Sequence, residues 1–173
     1  MRYSYFLFTL FALSWSAEVH AQQYQPPVND VLAKAMDYRI YQDTVITTVN
    51  WLLHSSLDRD IQTRREAEKF LVGWLNGCPQ TINLNGTIAP IMNKKNSPYH
   101  IDLLTAYVGA MAVFEIQHPN NKSQDTIQLA GVDGVLTLYQ YNIPLLYKDK
   151  SIRNYIRLKK NGQLSQWIHD QLK

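Results

Sequence analysis

The residues able to do chemistry are few and widely spaced. Cys78 is the single cysteine of the chain, and four of its histidines, His54, His100, His118 and His169, lie beyond the first fifty residues. Cys78, His100 and Asp102 together would supply the thiolate, base and orienting carboxylate of thiol acyl transfer. Their context argues against it. Cys78 follows the predicted helix end FLVGWLNG, where the dipole raises a thiol pKa, whereas reactive thiols gain acidity from a helix N-terminus or a nearby cation. The stretch reads instead as a helix stop, with Gly77 in the left-handed position, Pro79 barring continuation, and Cys78 packing as a small hydrophobe. Glu115 and His118 make one Glu-x-x-His pair, where a di-iron bundle needs two and further glutamates. His118 precedes Pro119 and is expected to meet the last carbonyls of its helix. There is no HExxH, no GxSxG elbow and no matched pair of carboxylates on neighbouring predicted elements. We therefore expect no metal, no other cofactor and no catalytic residue; a small hydrolase-like enzyme using a histidine is the alternative.

Binding chemistry is more localised. Residues 148–160, KDKSIRNYIRLKK, carry six basic residues against Asp149, a local +5; the chain totals +3, so the remainder carries −2. At helical spacing Lys150, Arg153, Arg157 and Lys160 form one stripe, with Ile152 and Ile156 turned elsewhere. Such a stripe suits an anionic surface: a phospholipid headgroup, lipopolysaccharide or nucleic acid. Its plain alternative is the solvated face of an amphipathic helix. Tyr139, Tyr141, Tyr147 and Tyr155 could stack sugars or could seal the edge of a core with their hydroxyls in water. Gly131-Val132-Asp133-Gly134 lacks the preceding strand and the lysine of a phosphate loop, so these glycines, like Gly109, predict close helix–helix approach.

The elements that must carry these residues follow from apolar periodicity. Val45, Val49, Leu52 and Leu53 mark a helix over about 43–56; Ala67, Phe70, Leu71, Trp74 and Leu75 mark a second, from Asp60 to Gly77. Residues 31–40 stay ambiguous. TINLNGTIAPIM, 81–92, reads as a connection with room for one short extended piece near 81–90. A third helix enters at Ser97-Pro98 and stops at Pro119; a fourth runs from Ile127 to about Asn142, where Pro144 bars extension. The last segment starts at Lys148, breaks at Asn161-Gly162 and resumes as QLSQWIHDQL. The fold class is all-α, a compact bundle of five to six helices.

The N-terminus explains where such a bundle would work. MRYSYFLFTLFALSWSAEVHAQQ has one early cation, an apolar run too short to span a bilayer, and Val19 and Ala21 before Gln22. Residues 1–21 are expected to be a cleaved signal peptide, 22–30 a flexible leader, and 31–173 one domain; no later run is apolar enough to be a transmembrane segment. The destination is the periplasm or the medium. With one cysteine, no internal disulfide can form, so packing must supply stability.

The layout resembles a family of small, uncharacterised, exported α-helical proteins of the Bacteroidetes. The resemblance covers about 45 to 170 and rests on Trp51-Leu52, Leu57-Asp58, Phe70 and Trp74 before Gly77 and Pro79, Leu103-Leu104, Gly109, Gly131, Tyr139, Lys148-Asp149-Lys150 and Gly162-Gln163-Leu164. It implies a helical fold and export, and it brings no catalytic residue; the family places a small or hydroxyl residue where this chain has Cys78. The functional expectation is a non-enzymatic binding or interaction domain, its partner another envelope or secreted protein and not a nucleic acid. The runner-up beside the hydrolase is an envelope protein that binds anionic lipid through Lys150, Arg153, Arg157 and Lys160.

Overall fold

The computed structural model describes residues 24–27, 35–78, 82–90 and 98–173. The expected signal peptide 1–21 and the helix-stopping Pro79 lie outside these residues. Every regular element among them is helical: α1 (Ala35–Ile40), α2 (Gln42–His54), α3 (Ile61–Gly77), α4 (His100–Gln117), α5 (Gln124–Tyr141), α6 (Ile143–Leu146), α7 (Lys150–Lys160) and α8 (Leu164–Gln171). The protein is an all-α bundle, and its six helices of eight residues or more occupy the predicted places. The two additions are short. Pro144, expected to end a helix, also opens one: it sits in the first turn of α6, where its missing N–H has no helical acceptor to lose.

The core is built around α4 and α5. Leu103, Ala106, Tyr107, Met111 and Ala112 of α4 are buried, as are Ile127, Val132, Val135, Leu136 and Leu138 of α5. Glycine sets how near these helices come. A Cβ on Gly134 would lie 2.4 Å from Ala110 Cβ and 2.7 Å from the Ala106 carbonyl oxygen, and one on Gly131 would lie 2.7 Å from the Tyr107 ring. Gly109 opens the opposite side of α4 to Val49 Cγ2 of α2 and Leu71 Cδ2 of α3, which a Cβ would meet at 3.0 and 3.1 Å. The expected close helix–helix approach is thus present at all three positions.

Three local expectations need correction. Gly77 is the last residue of α3 and takes no left-handed conformation; it is small because Tyr38 lies over it, with Oη 1.6 Å from where a Cβ would stand. The left-handed glycine is Gly162, φ 67°, between α7 and α8. There Gln163 N–H donates to Leu158 O at 2.9 Å and Gly162 N–H to Lys159 O at 3.1 Å, the double bond of a Schellman stop. The second correction concerns the leader. Tyr24–Pro27 were expected to precede the packed domain, yet the Tyr24 ring stacks on Trp51 at 4.6 Å and its hydroxyl donates to Thr48 Oγ1 at 2.8 Å. Burying two aromatic faces against each other offsets the ordering of a polar segment.

The third concerns residues 82–90, which form no strand. Their backbone is satisfied by side chains: Gln128 Nε2 donates to Asn83 O at 2.6 Å, Tyr155 Oη donates to Ile88 O, and Asn85 Oδ1 accepts from the N–H groups of Thr87 and Ile88 at 2.9 and 3.2 Å. Ile88 and Ala89 are thereby driven fully into the core, so the connection acts as a plug.

The α4–α5 seam can be tested against a glycine that is not packed. Gly134→Ala is expected to lower stability by about 1–3 kcal/mol through overpacking, despite alanine's better helix propensity. Gly73→Ala in α3, where a Cβ meets nothing within 4 Å, is expected to raise it by about 0.5–1 kcal/mol. Urea unfolding of both variants measures this; two shifts of the same sign would contradict the assignment.

Candidate functional site

The chemistry-bearing residues separate into an exposed cationic face and a buried charged cluster. On α7 the amphipathic division is clean. Ile152, Tyr155 and Leu158 are buried, while Lys150, Arg153, Arg157 and Lys160 are all exposed. Asp149 starts the helix by accepting from Ser151 N–H at 2.8 Å and Ile152 N–H at 3.1 Å, so the only acid of the segment is turned to its own helix end. Lys159 points the other way and pairs with Asp133 of α5 at 2.6 Å, which leaves the four stripe residues as one outward face. Arg157 is steadied by Asn154 Oδ1 at 2.8 Å.

The buried cluster was not foreseen. Arg64, 2% exposed, faces the C-terminal end of α2: its Nη2 donates to Leu52 O at 3.0 Å, Ser55 O at 3.1 Å and Ser55 Oγ at 2.6 Å, and Trp51 packs over its guanidinium at 5.8 Å. Asp102, in the first turn of α4, stands 3.8 Å from Arg64 Nη1 and 3.7 Å from Arg65 Nη2. Glu68 accepts from Arg65 Nη1 at 2.6 Å. Glu68 Oε1 and both Asp102 oxygens are buried and make no hydrogen bond, the guanidinium nitrogens nearest Asp102 standing too far off. Burial first, and the Asp102 charge second, push the Glu68 carboxyl up to about 7, against the pull of Arg65. A protonated Glu68 would be a donor toward Asp102, and that contact would give Glu68 Oε1 and one of the two Asp102 oxygens a partner.

The signal for this cluster was available in the sequence. Arg64 and Glu68 fall in helical register with Leu71 and Leu75, so two charges lie on the apolar stripe of α3. Charged residues are ordinarily read as surface, and only a partner on another helix makes their burial tolerable.

The other predicted constellations do not assemble. Cys78 is half-buried and ends α3, its N–H donating to Trp74 O at 3.0 Å. Asp102 is held beside Arg64 at the start of that helix, about 21 Å away at 1.5 Å rise per residue. The thiol and the carboxylate of the Cys78, His100, Asp102 set are therefore at opposite ends of α3. His118 stacks on Phe114 at 4.4 Å and donates through Nδ1 to Phe114 O at 3.0 Å, the helix-end role expected of it. His54 Nδ1 donates to Asn50 O at 2.7 Å, and His169 Nδ1 lies 3.0 Å from Asp125 Oδ1. Among the described residues no three of His, Cys, Asp and Glu gather at metal-binding distances. Glu115 is buried beside no donor to its Oε2, and burial raises its pKa while Lys122 opposes the shift.

The four tyrosines divide. Tyr155 is buried, Tyr139 is half-buried, and Tyr141 and Tyr147 are exposed. A groove of about 760 Å³ runs along α2, lined by Tyr24, Gln25, Pro27, Asp43, Thr47 and Trp51 among others. No family model, no curated protein and no solved structure matches this chain.

The carboxyl pair predicts the pH dependence of stability. Glu68 titrates near 7 in the fold and near 4.5 unfolded, so between those values the folded protein holds a proton that the unfolded chain has released. Its contribution is intact below pH 4.5 and is lost as pH rises through 7, a decline of about 3 kcal/mol. Glu68→Gln, which keeps a donor toward Asp102, is expected to flatten that decline. Urea unfolding across this pH range decides it; an identical slope in both proteins would refute the raised pKa of Glu68.

Proposed function

We propose that this chain is an exported, non-enzymatic helical domain that docks on a phosphate-bearing anionic surface through α7. The observation that carries this reading is the one-sidedness of α7: Lys150, Arg153, Arg157 and Lys160 are exposed on one stripe, while Ile152, Tyr155 and Leu158 are buried in the core. A concentrated stripe of this kind attracts polyanions far more than the chain's net charge of +3 would suggest, because the remainder of the chain is net acidic. The apolar N-terminal run, together with the resemblance of residues 45 to 170 to exported Bacteroidetes proteins, supports a place of work in the envelope or the medium. Among the described residues no helix is long and apolar enough to cross a membrane, so contact with a lipid surface would be peripheral.

The test is charge reversal. Arg153→Glu combined with Arg157→Glu is expected to weaken binding to polyphosphate and to anionic vesicles at least tenfold, since each basic residue near an anionic surface contributes about 1 kcal/mol. Both side chains are exposed, so circular dichroism of the double variant is expected to match the parent. A parent that binds neither ligand, or a variant that binds both equally well, would overturn the reading.

A further inference from the structure

The cationic stripe of α7 does not stand alone. Eight large hydrophobic side chains are exposed among the described residues, and three of them, Tyr141 (55%), Ile143 (47%) and Tyr147 (51%), fall within seven consecutive positions directly before α7. Pro144 between them is exposed as well. The turn is responsible. α5 ends at Tyr141, the buried Asn142 anchors the chain, and the single turn of α6 directs Leu146 inward and leaves Ile143, Pro144 and Tyr147 outside. No carboxylate occurs from residue 134 to 148. Lys148 Nζ lies 5.4 Å above the Tyr147 ring, and Lys150 and Arg153 follow within two turns. Beside them a cleft of about 250 Å³ is lined by Leu145, Leu146, Lys148 and Asp149 of this turn and by Pro98 and Tyr99.

We propose that this end of the bundle enters the headgroup boundary of an anionic phospholipid bilayer, with Tyr141, Ile143, Pro144 and Tyr147 in contact with acyl chains while Lys148, Lys150 and Arg153 meet lipid phosphates. The proposal rests on the reading of α7 as the face that binds anions and specifies which anion source it meets. A soluble polyanion satisfies the cations but offers nothing to the apolar group, which would stay in water. A bilayer satisfies both: the boundary takes up apolar side chains a few ångströms deep, and tyrosine suits it because its ring is apolar and its hydroxyl stays wet. Cations beside that apolar group are placed for the negative surface potential of anionic lipid.

Two variants of the full chain test this. Tyr147→Trp places a reporter at the apex, and vesicles of equal parts phosphatidylglycerol and phosphatidylcholine with bromine-labelled acyl chains quench a tryptophan that reaches them. Quenching beyond that of the parent is expected with these vesicles and is not expected with pure phosphatidylcholine. Ile143→Ser combined with Tyr147→Ser is expected to weaken anionic-vesicle binding on the order of tenfold and to leave polyphosphate binding at the parent value. If the parent binds the anionic vesicles but the tryptophan is not quenched, or the serine variant binds them as tightly as the parent, insertion is refuted and the α7 reading stands. If the parent binds neither vesicles nor polyphosphate, the α7 reading itself fails and the bilayer proposal falls with it.

Discussion

The close approach of α4 and α5 is the contact from which the other helix positions follow. Gly131 and Gly134 replace side chains with backbone at the seam, so the Tyr107 ring and the Ala106 carbonyl occupy space that any other residue would fill. Packing at this distance gains dispersion contacts along both helices, which outweighs the loss of about 1 kcal/mol per helical glycine. Consequences run outward from it. α5 also touches α2, α6, α7 and α8, so its position fixes theirs. The buried Tyr107 hydroxyl, facing Gln128 across the seam, passes its hydrogen bonding on to Asn83 and so anchors the plug at 82–90.

Two buried polar side chains then fix how α2 turns into α3. Asn142, at the end of α5, accepts from Leu57 N–H at 2.7 Å and donates to Ser55 O at 3.1 Å and Leu138 O at 3.0 Å, so its whole amide group is engaged. From the α3 side Arg64 donates to Leu52 O and shares Ser55 O with Asn142. A guanidinium in that place requires countercharge, and Asp102 arrives from α4 because Gly109, two turns further on, lets α4 lie against Leu71. The raised pKa of Glu68 is thus a by-product of a packing solution: two carboxyl groups are brought in beside Arg64 and Arg65, and burial next to Asp102 disfavours the charged form of Glu68.

Periodicity made most of the fold legible, and its failures have physical causes. Helices of eight residues or more repeat their apolar face often enough to register, as Val45, Val49, Leu52 and Leu53 do on α2. α1 and α6 do not, since six and four residues cannot show a period. Gly77 and Gly162 both stand at helix ends, and sequence alone does not separate a glycine needed for φ from one needed for room; Tyr38 decides the first and the Schellman bonds the second. Residues 82–90 were ambiguous because β-branched residues suit any buried extended backbone, and what satisfies that backbone lies 45 to 67 residues away, on Gln128 and Tyr155. Of the candidate site, the stripe Lys150, Arg153, Arg157 and Lys160 was readable because it depends on a single helix, whereas Arg64, Glu68 and Asp102 become a cluster only when two helices meet.

The two charged features differ in what they can do at a distance. In the cluster of Arg64, Arg65, Glu68 and Asp102 each cation has a carboxyl group within 3.8 Å, so opposite charges lie close together and oppose each other's field at a distance. On α7 the acid that could have cancelled the stripe, Asp149, is committed to the helix N-terminus, and Lys159 has taken Asp133 toward α5. The stripe therefore projects its field outward, within the screening length of physiological salt. The exposed Ile143 and Tyr147 precede that stripe in the chain, and on the proposed bilayer they would add contacts that salt does not screen. An association begun by α7 and completed at α6 would lose affinity with rising salt without vanishing, whereas an electrostatic contact alone would fall to nothing.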